Sequence, residues 1–128
     1  MARHILVVED DEFLLELYNV LLQDEGYQVS LFDTIFEHVT EVERLHPDLI
    51  ILDAKLNDRE DGLDLLQQLL SYPPTRSLPV LLCTAASAKS TRERVEAFRL
   101  QGVPVIYKPF DINELLQTIA DILNRHVN

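Results

Sequence analysis

Cysteine, positive charge and long apolar runs are all scarce in this chain of 128 residues. The single cysteine, Cys83, excludes an internal disulfide and is typical of proteins from a reducing compartment. The 11 basic residues are outnumbered by 22 acidic ones, so the chain lacks the basic face that neutralises nucleic-acid phosphates. No apolar run has the length of a membrane span or of a signal-peptide core. We therefore expect a cytoplasmic protein that binds neither nucleic acid nor a membrane.

The apolar residues instead form short runs that alternate with longer segments of helical spacing. Five runs have the composition of β-strands, at residues 5–8, 27–31, 49–52, 80–83 and 103–107. Helical spacing predicts five helices, marked by Leu14, Leu17 and Leu21; Ile35, Val39 and Val42; Leu63, Leu66 and Leu70; Val95 and Phe98; and Ile112, Leu115, Leu116, Ile119 and Leu123. The first four helices are followed by the end signals Gly26, Pro47, Pro73 and Gly102.

Five strand–helix pairs in succession predict one α/β domain with a parallel sheet covered by helices on both faces. The first, third and fourth runs are wholly apolar, as the central strands of such a sheet are. The second run alternates, and the fifth contains Pro104, which has no N–H to donate to a ladder, so both belong at the edges. The flavodoxin-like doubly wound fold, with strand order 2-1-3-4-5, satisfies these assignments.

Chemically reactive side chains follow four of the five predicted strands. They are Glu9, Asp10 and Asp11 after the first strand, Asp53 after the third, Thr84 after the fourth and Lys108 after the fifth. In a parallel sheet these strand ends lie along one edge, and carboxylates that meet there repel one another unless a cation lies between them. Hard oxygen ligands suit Mg2+. The pattern predicts a Mg2+ site at which Asp53 is a nucleophile, with Thr84 and Lys108 placed to receive a phosphoryl group.

Each of these residues also has a simpler structural explanation when it is taken alone. Asp10 or Asp11 is suited to cap the first helix, and Asp11 is the expected N-cap. Asp53 is a common turn residue, and a threonine such as Thr84 is at home inside a strand. Lys108 would ordinarily be a solvated surface lysine. The functional interpretation depends on the coincidence of four strand ends, each with the residue type that one site requires.

Four stretches of the chain together resemble the receiver domains of two-component response regulators. They read ILVVEDDEF, DLIILDAKLNDREDG, PVLLCTAAS and VIYKPFDINEL, in the family's order and with its spacing. The resemblance covers essentially the whole chain and implies a single receiver domain over residues 1–128. It also implies that Mg2+ is the cofactor and that the partners are a sensor histidine kinase or phosphotransfer protein and a downstream protein target.

The same resemblance gives each residue of the predicted site a role. Asp53 is the implied phosphoacceptor, which takes a phosphoryl group from a phosphohistidine. The implied Mg2+ ligands are Asp53, Asp10, Glu9 (through water) and the backbone carbonyl of Lys55. Thr84 and Lys108 contact the phosphoryl oxygens, and the peptide bond before Pro109 is expected to be cis.

The chain departs from the receiver pattern at three places. The loop LNDREDG lacks the usual proline and is one residue longer, so we expect it to be unusually mobile. Val105 occupies the position at which receivers ordinarily have an aromatic residue, whose side chain follows the movement of the threonine. Tyr107 is two residues further along the same strand face and either substitutes for that aromatic residue or simply packs. Lys55 occupies a position that in receivers tunes how fast the phosphate is lost.

The output of the domain is expected to be a protein surface on the fourth helix. Four basic residues lie there, Lys89, Arg92, Arg94 and Arg99. Because Glu93 and Glu96 interrupt them, a solvated face of mixed charge is the preferred interpretation. The altered loop and Val105 also leave open a degenerate receiver that acts as a phosphorylation-independent interaction module.

Two other functions fit the sequence less well. A hydrolase with an aspartyl-phosphate intermediate would need a second carboxylate two residues after Asp53, where Lys55 stands. A flavodoxin-type carrier would need a Ser/Thr/Gly-rich loop after the first strand, whereas Glu9, Asp10 and Asp11 would repel a phosphate. Cys83, inside an apolar run, is interpreted as an inert buried thiol.

Overall fold

The computed structural model describes residues 2–34, 38–85 and 87–125, along which strands and helices alternate. The strands are β1 His4–Val8, β2 Gln28–Phe32, β3 Leu49–Leu52, β4 Val80–Thr84 and β5 Val105–Tyr107. The helices are α1 Glu12–Asp24, α2 Val39–Leu45, α3 Asp61–Ser71, α4 Lys89–Leu100 and α5 Ile112–Arg125. The strands form a parallel sheet in the order β2-β1-β3-β4-β5, which confirms the predicted flavodoxin-like α/β fold. None of the described helices is long and apolar enough to cross a membrane.

Some element boundaries differ from those that the sequence predicts. β5 begins two residues late, because Pro104 has no N–H and joins the ladder only through its carbonyl, which accepts from the Leu82 N–H at 3.0 Å. β2 lies one residue further along the chain, and β4 extends to include Thr84. Ile35, expected to mark the second helix, lies outside the described residues.

The sheet is covered on both faces, as its apolar runs predict. From β3, Ile50 and Leu52 pack into an apolar cluster with α2, α3 and α4, whereas Leu49 and Ile51 pack into a second cluster with α1 and α5. All four side chains are at most 1% exposed. Burying one such side chain stabilises a fold by roughly 1.5–3 kcal/mol. The two clusters therefore hold the central strands, and with them the residues that follow each strand.

Asp11 marks the point at which the chain turns from the edge of the sheet into α1. Its carboxylate accepts from the Leu14 N–H at 3.1 Å, which confirms the predicted N-cap. Glu9 and Asp10 are thereby held between the end of β1 and the first turn of α1. After the other end of α1, Gly26 takes a φ of +89°, a conformation that other residues adopt only with strain.

Candidate functional site

Glu9, Asp10 and Asp53 meet at the carboxyl edge of the sheet, together with the ammonium group of Lys108. One carboxylate oxygen of each acid lies within 4.8 Å of those of the other two. Lys108 Nζ lies 2.5 Å from Glu9 Oε1 and 2.8 Å from Asp53 Oδ2. The structure thus brings four of the predicted site residues into one cluster, and their chemical roles stay predictions.

Backbone hydrogen bonds carry the ladder of the sheet one residue beyond the strands and fix these side chains. The Asp53 N–H donates to the last carbonyl of β1 at 3.2 Å, and the Glu9 N–H donates to the last carbonyl of β2 at 3.0 Å. The Lys108 N–H donates to the last carbonyl of β4 at 3.0 Å. Because the backbone is tied to the sheet, the three side chains start from well-defined positions.

Thr84 is the residue that supplies this last carbonyl of β4. It is 1% exposed and lies at the same edge of the sheet, in register with Tyr107 of β5. The peptide bond between Lys108 and Pro109 is cis, as the family resemblance implies. Contact between the Thr84 hydroxyl and a phosphoryl group stays a prediction.

Burial and neighbouring charges set the ionisation of the cluster. Glu9 is 2% exposed, and its burial raises the pKa of its carboxyl from 4.5 to about 7. The hydrogen bond from Lys108 opposes this shift, and the Asp53 carboxylate adds to it. Burial alone would lower the pKa of Lys108, but its hydrogen bonds to Asp53 and Glu9 outweigh burial and raise it. The ammonium group stays charged and offsets part of the negative charge.

The donor set of the cluster fits a hard divalent cation. Glu9, Asp10 and Asp53 offer carboxylate oxygens and no sulfur or imidazole, a composition that suits Mg2+ rather than zinc or copper. A cation among these oxygens also relieves the repulsion between the carboxylates. Mg2+ is ordinarily held by one or two carboxylates with waters or phosphate oxygens completing its shell, so three acids at one edge are sufficient.

The loop after β3 closes into a tight hairpin next to this cluster. Leu56 and Arg59 exchange backbone hydrogen bonds of 2.9 and 3.1 Å, and the two residues between them, Asn57 and Asp58, have φ of 55° and 61°. Positive φ at both central residues is the type I′ turn, for which Asn and Asp are suitable. The extra residue noted in the sequence is therefore accommodated by a hydrogen-bonded turn, and the mobility of the loop stays a prediction.

Two backbone N–H groups of this loop bind site carboxylates. The Asn57 N–H donates to Asp10 Oδ2 at 2.9 Å, and the Lys55 N–H donates to Asp53 Oδ1 at 3.2 Å. The sequence gives no sign of the first bond, because it depends on the turn geometry rather than on a side chain. A ligand role for the Lys55 carbonyl stays a prediction.

Gly62, in the first turn of α3, lets the helix approach the backbone of Asp53. A Cβ atom at this residue would lie 1.8 Å from the Asp53 backbone oxygen and 2.9 Å from that of Ala54. Neither contact is possible, so only glycine fits here. The sequence carried the signal in the Asp-Gly pair that ends the loop, but its physical role in placing Asp53 emerges only from the structure.

Val105 and Tyr107 occupy different environments, although both lie on β5. Val105 is half-buried and packs against the cluster under α2, α3 and α4. Tyr107 is 37% exposed, and its hydroxyl donates to Glu96 Oε2 at 2.6 Å. The interpretation of Tyr107 as a packed side chain is therefore wrong, because the edge strand leaves its ring at the surface beside α4.

The basic residues of α4 are not all solvated. Arg94 turns toward α3, where it donates to Glu60 at 3.2 Å and to Asp64 at 2.8 Å. Lys89 and Arg99 instead pair with glutamates of their own helix at 3.9 and 2.8 Å. The expectation of a solvated mixed face holds for Lys89 and Arg99, and it is wrong for Arg94.

Cys83 is buried, as its apolar surroundings predict. Its sulfur accepts a hydrogen bond from the Tyr18 hydroxyl at 2.9 Å, and the Tyr18 ring stacks on Phe110 with centroids 5.8 Å apart. Burial raises the pKa of the thiol to about 11. A thiol that stays protonated is a poor nucleophile, in agreement with its interpretation as an inert residue.

Comparison with known proteins agrees with this geometry. The family model of the response regulator receiver domain matches residues 5–120. The chain belongs to the response regulator receiver family. The probable transcriptional regulatory protein TcrX of Mycobacterium tuberculosis is 33% identical over 121 residues, covering 94% of this chain and 50% of TcrX. The polar-differentiation response regulator DivK of Brucella ovis is 28% identical over 123 residues, covering 96% of this chain and 98% of DivK.

A solved receiver structure resembles this one closely. The receiver domain of the sensor histidine kinase PA1611 from Pseudomonas aeruginosa matches with a TM-score of 0.81 and 25% identity, over 97% of this chain and 99% of that chain. That structure has a magnesium ion coordinated in its active site cleft. The receiver chain described here spans about half the length of TcrX and nearly all of DivK.

Proposed function

We propose that this receiver is a phosphoacceptor of a two-component phosphorelay. A phosphoryl group passes to Asp53 from a histidine of a sensor kinase or of a phosphotransfer protein, in a Mg2+-dependent reaction. The observation that carries the proposal is the cluster itself: Asp53 is 8% exposed, has Lys108 Nζ 2.8 Å from one oxygen, and lies beside Glu9 and Asp10. A structural aspartate in a turn would not need two further carboxylates and an ammonium group next to it.

The chemistry follows from these positions. A carboxylate oxygen of Asp53 attacks the phosphorus, so that an O–P bond forms while the P–N bond to the donor imidazole breaks. The electron pair of the P–N bond leaves with the imidazole, which takes up a proton. Lys108 exchanges its bond to the Asp53 carboxylate for one to a phosphoryl oxygen, and the Thr84 hydroxyl donates to another. Fixed donors at these oxygens stabilise the charge that the transferred group carries.

Glu9, Asp10 and Asp53, with the Lys55 carbonyl, are the residues that we propose to hold Mg2+. When bound, the ion neutralises the carboxylates and the phosphoryl oxygens. Lys108 then no longer has to balance two carboxylates and becomes available to the phosphoryl group. The magnesium in the cleft of the PA1611 receiver supports this assignment.

The domain as a whole is proposed to work in the cytoplasm as one receiver over residues 1–128, which changes its affinity for a protein partner when Asp53 is phosphorylated. TcrX and DivK are both named as regulators, and they differ in how much of their length resembles this chain. The proposed output surface is on α4, and it acts without an aromatic side chain turning inward at position 105, where valine is too small to be such a lever.

Intact-mass measurement after incubation with acetyl phosphate and Mg2+ tests the proposal. We expect one added phosphoryl group that is lost at high pH, as an acyl phosphate is, and no addition when EDTA removes the metal. Asp53→Asn should abolish the addition. The matched control is Asp48→Asn, an aspartate at the opposite end of β3, which should leave it unchanged. If the protein without substitutions gains no mass, the result would favour the degenerate receiver, which binds its partner without phosphorylation.

A further inference from the structure

The loop between β3 and α3 touches the candidate site at one end and α4 at the other. At the site end, the Asn57 N–H donates to Asp10 Oδ2 at 2.9 Å. At the far end, the Glu60 carboxylate accepts from the Thr91 hydroxyl at 2.5 Å and from Arg94 at 3.2 Å. Only two residues, Asp58 and Arg59, separate Asn57 from Glu60, so the loop bridges the acidic cluster and the first turns of α4.

Backbone hydrogen bonds and one buried side chain hold the bridge in place. The hairpin exchanges two backbone hydrogen bonds between Leu56 and Arg59, and its Leu56 side chain is fully buried in the core. Independent rotation of the backbone dihedrals in this turn would break the two hydrogen bonds. We therefore expect a displacement of Asn57 to displace Glu60 as well.

Glu60 is placed to act on α4 rather than on its own helix. It precedes α3 at the N-cap position, yet its side chain caps none of the first N–H groups of α3. The carboxylate reaches across instead to Thr91, which is 1% exposed, and to Arg94, which also binds Asp64 of α3. The bonds to Thr91 and Arg94 favour the ionised form and lower the pKa of Glu60. The contact is thus a charged bond to a buried hydroxyl, and it is specific in position.

The inward-facing aromatic side chain that receivers ordinarily carry on β5 is replaced here by Val105. Val105 packs against the core, and Tyr107 is directed outward to Glu96. A contact of another kind can therefore carry a signal from Asp53 to α4. The hairpin and Glu60 supply one. At the site end, the Asn57 N–H donates to the Asp10 carboxylate, which is also part of the proposed metal site.

We propose that residues 56–60 couple occupancy of the acidic site to the position of α4, with Glu60 as the positioning residue at the α4 end. The inference rests on the proposed function, because it takes Asp10 and Asp53 as the residues that hold Mg2+ and the phosphoryl group. Binding at those carboxylates changes the charge to which the Asn57 N–H is bound, the hairpin shifts, and Glu60 moves Thr91 and Arg94 with it.

Amide hydrogen exchange of residues 89–100 tests the coupling, with Mg2+ alone and with Mg2+ plus beryllium fluoride as a phosphoryl mimic. In the unmodified protein both additions should change the exchange of α4. Glu60→Ala should reduce that change by roughly threefold or more, the scale of a partly exposed charged bond. Glu60→Gln can still accept a hydrogen bond from Thr91 but loses its charge. Its change in α4 exchange should therefore lie between that of the protein without substitutions and that of Glu60→Ala.

Glu93→Gln is the matched control, because Glu93 is an exposed glutamate of α4 that pairs only with Lys89 among the interactions described. It should leave the response of α4 intact. If Glu60→Ala does not fold, Thr91→Val removes the hydroxyl donor with little change of shape and replaces it in the test. An α4 response in Glu60→Ala or Thr91→Val equal to that of the unmodified protein would overturn the proposal.

Failure of the coupling is distinguishable from failure of the proposed function. Intact mass after acetyl phosphate treatment should be the same for the unmodified protein and Glu60→Ala, since Glu60 is outside the acidic cluster. If the protein gains no phosphoryl group, the proposed function is contradicted. The exchange measurement with Mg2+ alone then still decides whether Glu60 transmits the effect of a cation at the acidic site to α4. If the protein is phosphorylated but hydrogen exchange in α4 responds equally with and without Glu60, only the coupling is contradicted.

Discussion

The interior of the central strands and their carboxyl ends follow opposite rules. Within β3, Leu49–Leu52 lie between two apolar clusters and are at most 1% exposed, so every side chain adds to stability. One residue further on, Asp53 lies beside Glu9 and Asp10, and the ammonium group of Lys108 contacts only Glu9 and Asp53 among these three acids. Like charges held this close destabilise the folded state. The apolar interior thus provides the stability with which the fold holds an edge crowded with like charges.

The negative charges of the three acids at this edge are not equally balanced by neighbouring groups. Lys108 binds both Glu9 and Asp53, whereas the bond described for the Asp10 carboxylate comes from the neutral Asn57 N–H. Asp10 is therefore the acid whose charge is least balanced before a cation binds. Substitutions in the strand interior and at the edge should consequently change stability in opposite directions.

The largest effect is expected in the interior. Leu52→Ala removes a fully buried side chain next to Asp53 and should lower the free energy of unfolding by about 2–5 kcal/mol. Urea denaturation followed by circular dichroism measures it. Leu100→Ala, at an 80% exposed leucine of α4, is the control and should stay within about 0.5 kcal/mol of the unmodified protein. A small loss for Leu52→Ala would show that the interior is not the source of stability.

The contact between interior and edge is tested at Gly62. Gly62→Ala places a Cβ 1.8 Å from the Asp53 carbonyl oxygen, so it should destabilise by about 1–3 kcal/mol or more and slow phosphorylation by acetyl phosphate. Gly26→Ala is the control, since a Cβ there meets no atom within 4 Å and the strain of its positive φ is remote from the site. Equal phosphorylation rates in the two variants would remove Gly62 from the placement of Asp53.

The raised pKa of Glu9 predicts how the metal-free protein responds to pH. Because the folded form binds this proton up to about pH 7 and the unfolded form only to about pH 4.5, the contribution of Glu9 is present below 4.5 and is lost as pH rises through 7. The loss is on the order of 1–3 kcal/mol. Urea unfolding in EDTA from pH 4.5 to 7.5 measures it, and Glu9→Gln should flatten the curve relative to Glu93→Gln. Identical curves for both variants would contradict the burial of Glu9.

A smaller effect, of the opposite sign to that of Leu52→Ala, is expected at Asp10. Asp10→Asn relieves repulsion in the metal-free protein and should stabilise it by about 0.5–2 kcal/mol, while Mg2+ should no longer raise its thermal midpoint. Thermal unfolding with and without Mg2+ measures both. Asp11→Asn is the neighbouring control, because asparagine caps a helix as well as aspartate does. A Mg2+ response retained by Asp10→Asn would refute the assigned ligand.

The smallest effect is expected at Tyr107, outside both regions. Tyr107→Phe removes the bond to Glu96 at the surface and should change stability by no more than about 0.5 kcal/mol. It should also leave unchanged the response of α4 exchange to beryllium fluoride. Loss of that response would mean that Tyr107, and not the hairpin with Glu60, links the site to α4.

Sequence patterns predicted the fold and the composition of the edge because both depend on local rules. Wholly apolar runs identified β1, β3 and β4 as central strands, and the residue after each strand end was enough to bring Glu9, Asp53 and Lys108 together in a parallel sheet. The orientation of Tyr107 was missed, because residues two apart on an edge strand share a face without sharing burial. The contacts of Asn57 and Glu60 were also missed, since they join residues 31 or more positions apart whose pairing no short-range pattern encodes.

Chemical trapping of the phosphorylated residue tests the central claim most directly. Borohydride reduces an aspartyl phosphate to homoserine, so the protein is treated with acetyl phosphate and Mg2+, reduced, digested and sequenced by mass spectrometry. The account predicts homoserine at position 53, in amounts that depend on Mg2+. Homoserine at another aspartate, or none in a protein that has gained a phosphoryl group, would contradict the assignment of the carboxyl edge as the phosphoacceptor site.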